Sequence, residues 1–172
     1  MKRFFAMSAL IAFSTVASNA SATWFAKTDS GGKLLVTGIA ENPDGTLATV
    51  YIGCEGKILN VEVLTEMNAS AADLADYNGT KVIFGYKIKG GEAKKVGLDG
   101  EAFISAGEVV SVKVALSEEQ SEAIYNSIGL GKRLDVELVH PELMYDTGVK
   151  KVMADGFTTA VQAMRKACPD LN

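Results

Sequence analysis

The chain contains two cysteines, Cys54 and Cys168, and how it uses them constrains its folding more than any other feature. Cys54 ends a strand-like run, Thr46 to Cys54, in which Ala48, Val50, Ile52 and Cys54 share one face, with Thr49 and Tyr51 among the residues on the other. Cys168 ends a helical stretch, Gly156 to Cys168, whose Phe157, Ala160, Val161, Met164 and Cys168 recur at helical spacing. Arg165 and Lys166 sit in the last turn, where cations suit the negative end of the helix dipole, and Pro169 prevents extension. A bridge between the cysteines pins this terminal helix onto a sheet. The alternative is two independent buried thiols.

The N-terminus bears on that choice. Lys2 and Arg3 precede an almost wholly apolar run from Phe4 to Val16, and Ala20-Ser21-Ala22 supplies the small residues of a cleavage site. This pattern predicts a cleaved secretory signal over residues 1–22 and a mature chain starting at Thr23. The apolar run is shorter than the ~20 residues that span a bilayer, which argues against an uncleaved anchor. No cysteine follows it to carry a lipoprotein anchor. In an exported chain, two cysteines most economically form one disulfide.

Residues 23–172 suffice for one domain with an ordinary core, and no linker or internal repeat divides them. Without Lys2 and Arg3, 15 basic residues face 21 acidic ones. That balance disfavours nucleic acid, whose binding needs a positive field. The mature chain carries no second long apolar segment, so no membrane span is expected after signal removal.

Alternation dominates the interior. Lys33 to Ala40, Thr46 to Cys54, Lys57 to Thr65, Lys81 to Lys89, Glu92 to Leu98, Glu108 to Leu116 and Arg133 to His140 read as strands. Turn signals at Asn42-Pro43-Asp44-Gly45, Glu55-Gly56 and Gly90-Gly91 separate several of them. A short extended segment opens at Trp24, and another lies around Thr147 to Met153. Ser117 to Ile128 reads as a helix, with Ser117 and Gln120 in capping-box spacing and Glu118 and Glu119 in the first turn. Alanine-rich Asn68 to Tyr77 predicts a further short helix. The class is mostly β: an antiparallel β-sandwich or curved sheet, a C-terminal α-helix packed on it, and one or two further short helices.

Few residues advertise chemistry. His140 is the one imidazole, ends a strand before Pro141, and reads as structural or exposed. No G-x-S-x-G elbow, C-x-x-C pair or distinctive carboxylate motif occurs, so no catalytic, cofactor-binding or metal-ligating residue is assigned. Lys87, Lys89, Lys94 and Lys95 form a basic hairpin. It reads either as a patch for an acidic partner or as a strand edge protected by lysine. Trp24 and Phe25 read either as exposed anchors for a partner or as residues tucking a terminal strand into the core.

The strand ending in Cys54 with Glu55-Gly56-Lys57-Ile58-Leu59, and the terminal Gly156-Phe157-Thr158-Thr159-Ala160 running to Ala167-Cys168, resemble two groups of proteobacterial periplasmic proteins. One is the type VI secretion-associated accessory family. The other is the invasion-associated locus B family, whose extra cysteines this chain lacks. The resemblance implies a small β-sandwich that binds other proteins without a cofactor. The resulting expectation is a periplasmic or secreted, non-enzymatic binding or accessory module with an envelope or secreted protein as partner. A small envelope hydrolase and an inhibitor of a secreted enzyme are the alternatives.

Overall fold

The computed structural model describes residues 24–28, 34–41, 47–88, 91–105, 108–129, 134–140, 142, 145–146, 150–152, 162–166 and 168–171. Among them are eleven strands: β1 (Trp24–Thr28), β2 (Leu34–Glu41), β3 (Leu47–Glu55), β4 (Ile58–Asn68), β5 (Lys81–Lys87), β6 (Ala93–Asp99), β7 (Glu101–Ile104), β8 (Val109–Ala115), β9 (Leu134–His140), β10 (Tyr145–Asp146) and β11 (Lys150–Val152). One α-helix, α1, spans Glu118–Gly129. Short 3-10 helices cover Leu74–Tyr77 and Pro169–Leu171. The signal segment, the Asn42–Gly45 turn and residues 153–161 lie outside the described residues.

Every strand pairing is antiparallel, in the order β6-β5-β9-β11-β2-β3-β4-β8-β7, with β1 joined to β2 and β10 to β9. The chain is therefore mostly β, as the alternation predicts. It is one curved antiparallel sheet folded over its own core and not closed into a barrel. Val82, Phe84 and Tyr86 of β5 and Val136 and Leu138 of β9 enter the same buried cluster as Ile52, Val61, Val63, Val112 and Val114. The last five come from strands several places away along the sheet, so the two halves face each other. At ~25 cal/mol per Å² of apolar surface, this shared interior is the main force favouring the fold.

The two ends of the strand order meet in sequence at Gly100. Asp99 pairs with Lys81 of β5, whereas Glu101 pairs with Lys113 of β8. Asp99-Gly100 thus bends one strand from one half of the sheet to the other. Close approach dictates glycine here: a Cβ would overlap Val112 Cγ1 and lie 3.1 Å from Thr80 O and 3.3 Å from Val82 Cγ2. The Gly100 N–H donates to Thr80 O at 2.8 Å. Residues 101–104 form the separate strand β7, which is not among the strands that the alternation predicts.

Helix α1 is tied to the sheet by two serines. Leu59 N–H of β4 donates to Ser121 Oγ at 2.9 Å, and Lys87 N–H of β5 donates to Ser127 Oγ at 3.3 Å. Its Ile124, Tyr125 and Ile128 join the core. The capping box forms as the spacing predicts: Gln120 N–H donates to Ser117 Oγ, and Ser117 N–H to Gln120 Oε1. The alanine-rich stretch before β5 supports only the 3-10 turn Leu74–Tyr77, none of whose residues is buried. Without an apolar stripe, propensity alone does not hold a longer helix.

Cys54 and Cys168, 114 positions apart in sequence, form a disulfide with their Cα atoms 5.7 Å apart. Residues 162–166 are helical, with Met164 buried and Gln162, Arg165 and Lys166 exposed. Met164 and Cys168, both buried, belong to the predicted apolar stripe. Burial pushes the Tyr125 phenol up, opposed by the charge of Arg165 and a hydrogen bond to it. That pair links α1 to the terminal helix.

Candidate functional site

The rows of opposed residues across the sheet define its outer face. In an antiparallel pair, directly opposed side chains point the same way. Phe25 of β1 opposes Thr37, Thr37 opposes Tyr51, Tyr51 opposes Glu62, Glu62 opposes Lys113, and Lys113 opposes Glu101. One row thus crosses six strands on the face away from the core. It passes from Phe25 through the buried Thr37 to Tyr51, and then to charged residues at β4, β8 and β7.

The middle and charged end of this row lie in a groove of ≈ 820 Å³, within the ~300–1,000 Å³ range of ligand-binding clefts. Tyr51, Glu55, Glu62, Asp99, Glu101 and Lys113 are among its lining residues, over a floor that includes Leu35, Gly53 and Ala115. Small residues make the hollow. At Gly53 a Cβ would already lie 3.2 Å from Leu35 Cδ2.

Four carboxylates face one lysine in this groove. Lys113 Nζ lies 3.3 Å from Glu101 Oε2 and 5.6 Å from the centre of the Phe103 ring, so the cation is held to one side. Asp99 pairs with Lys81 at 3.2 Å. Glu55 and Glu62 form no ion pair among the described residues.

Glu62 is half-buried, and burial pushes its carboxyl up from the ordinary range; the Ser111 hydroxyl and the Lys113 charge bring it part of the way back. Ser111 is fully buried on the same face, and its Oγ reaches no partner at full hydrogen-bond geometry, so its help to Glu62 is weak. Because the folded pKa is raised, the Glu62 contribution to stability is complete below its unfolded pKa and is lost as pH rises through the folded one. Glu62→Gln is therefore expected to unfold at higher urea than the parent at pH 7, and at the same urea near pH 4. Urea midpoints of both proteins across that range check the sign.

The lysines do not gather at one place. Lys87 and Lys95 share a face as diagonal neighbours on β5 and β6, and Lys95 lies 3.6 Å from Glu137. Lys94 opposes Tyr86 and projects from the other face. Lys89 lies outside the described residues. Phe25 is 42 % exposed, the one large apolar side chain so exposed among the described residues. Trp24 takes its place in β1, opposite Gly38.

His140 is buried, with Nε2 2.9 Å from Asn78 O, and does not line the groove. It anchors the Asn78-Gly79 turn before β5, a structural role in keeping with its place at a strand end. Sequence reasoning missed the acidic groove because Glu55, Glu62, Asp99 and Glu101 come from four strands. Their only common signal is outward register, which no local spacing reveals.

Among the described residues no cluster of three or more histidine, cysteine or acidic side chains could hold a metal ion, and no helix is long and apolar enough to cross a membrane. No family model, curated protein or solved structure matches the chain.

Proposed function

We propose that this chain is an exported, non-enzymatic binding module that engages another envelope or secreted protein through the outer face of β2, β3, β4, β8 and β7. The groove on that face carries the proposal. It is hollowed into strands whose other side packs the core, so its side chains are presented on a rigid support. The disulfide fits an oxidising compartment, and the predicted signal segment makes that compartment the periplasm or the exterior. The resemblance to the type VI secretion-associated and invasion-associated locus B families supports the same mode of action, that of a small β protein working by contact.

The experiment is site-specific photo-cross-linking in cells that export the protein. A photoreactive residue at Tyr51 or Glu101 is expected to trap a discrete partner, and one at Glu122 on the exposed side of α1 is not. A partner trapped equally well from both places, or only from α1, removes the groove from the proposal.

A further inference from the structure

The groove's chemistry bears on what it binds, and the inference here rests on the reading just given. Three features of the outer face converge. Its acidic end holds four carboxylates, of which Glu55 and Glu62 lack an ion-pair partner among the described residues, while the one lysine is occupied by Glu101. Between its acidic and aromatic parts the face is hollowed at Gly53, where even a Cβ would lie 3.2 Å from Leu35 Cδ2. At the other end, the same cross-strand row continues through Tyr51 and the buried Thr37 to the exposed ring of Phe25.

From this arrangement we propose that the groove takes an extended, cationic segment of a partner protein, with an apolar side chain over Tyr51 and the β1–β2 end and a lysine or arginine against Glu62 and Glu101. An ammonium or guanidinium group donates hydrogen bonds and accepts none, which suits a groove where four carboxylates face one lysine and two of them, Glu55 and Glu62, have no ion-pair partner among the described residues. An anionic segment would meet four carboxylates at close range, a repulsion that also excludes competitors. The net negative charge of the chain steers the same class of partner toward it.

The test uses the disulfide-bonded protein from Thr23 onward and two synthetic peptides. The first carries one leucine followed by alternating alanine and lysine; the second has glutamate in place of lysine. Amide shifts are followed by NMR as each peptide is titrated up to millimolar concentration. The lysine peptide is expected to shift amides of Tyr51, Glu62 and Glu101, and to bind about tenfold more weakly at ~0.3 M than at ~0.05 M salt. Joint Glu62→Gln and Glu101→Gln replacement is expected to weaken binding about five- to tenfold. Both changes leave the core intact, so a folding defect does not obscure the result.

Shifts confined to the lysine hairpin of β5 and β6, unchanged affinity in the double variant, or no shift at any concentration overturn the inference. Equal or tighter binding of the glutamate peptide in the groove overturns the cationic class while leaving the binding face in place. Cross-linking that maps a partner away from Tyr51 and Glu101 removes the binding face itself, so the two failures are distinguishable.

Discussion

Joint replacement of Cys54 and Cys168 by alanine is expected to lower the unfolding free energy by about 2–5 kcal/mol and the melting temperature by on the order of 10 °C. The bridge joins residues 114 positions apart, so breaking it frees a very long loop in the unfolded chain. In the chain-entropy account, a loop of that length corresponds to ~4–5 kcal/mol. The loss in the native state adds to this. Cys168 is fully buried beside Met164 and Leu171 in the same core cluster, so the terminal segment is both stapled and packed. Urea unfolding of the chain from Thr23, oxidised, reduced and doubly substituted, separates the contributions. The reduced parent and the double variant should agree to within the small packing loss of two sulfurs. Midpoints of all three within ~1 kcal/mol of one another would show that the staple adds nothing to packing.

The second large effect is expected at Gly100. A methyl group there collides with Val112 of β8 and crowds Thr80 O and Val82 of β5, three atoms from both halves of the sheet. Neither half can yield without disturbing the core that they share. Gly100→Ala is expected to destabilise by about 1–3 kcal/mol or more through overpacking. Movement that relieves the clash also stretches the 2.8 Å hydrogen bond from Gly100 N–H to Thr80 O. Gly97→Ala is the control. It lies three residues away in β6, and its new methyl group would meet only Ile83 Cγ1 at 3.7 Å, an ordinary contact. Alanine is also the better strand residue, because it loses less backbone freedom on folding. Thermal unfolding should therefore separate the two variants by several degrees, with Gly97→Ala at or above the parent. If the two unfold alike, the strand does not turn the corner in the way described.

The two glycines also show where local reading reaches its limit. Asp99-Gly100 carries the composition of a tight turn, and in sequence it is indistinguishable from Gly90-Gly91, which does sit between paired strands. The difference lies in which strands flank each glycine in space. Pairing with β5 on one side and β8 on the other depends on residues distant in sequence, which no local pattern encodes. Strand β7 was overlooked for the same reason. Its four residues alternate too briefly to be recognised, and its pairing with β8 is what makes them a strand.

Much else was legible because the physics is local. Alternation in Lys81–Lys87 predicts its inward Val82, Phe84 and Tyr86, because a pleated strand sends every second side chain to one face. Ser117 and Gln120 predict the start of α1, because the first turn of any helix leaves N–H groups that such a pair satisfies. The pairing of Cys54 with Cys168 is the expectation for two cysteines in a chain that carries the pattern of an export signal. Each of these depends on neighbours within a few positions, or on a count.

The acidic groove depends on neither. Glu62 and Tyr51 were visible in sequence as the polar, outward side of ordinary strands, and nothing in their surroundings distinguished them from other solvated residues. Register brought Tyr51, Glu62, Lys113 and Glu101 into one row across four strands, and folding the sheet over its core left that row outside. The sequence by itself determined which side chains point inward and which outward, since a two-residue period follows from backbone stereochemistry. Only the tertiary structure decided which outward side chains stand together, since that requires strands distant in sequence to pair in one particular order.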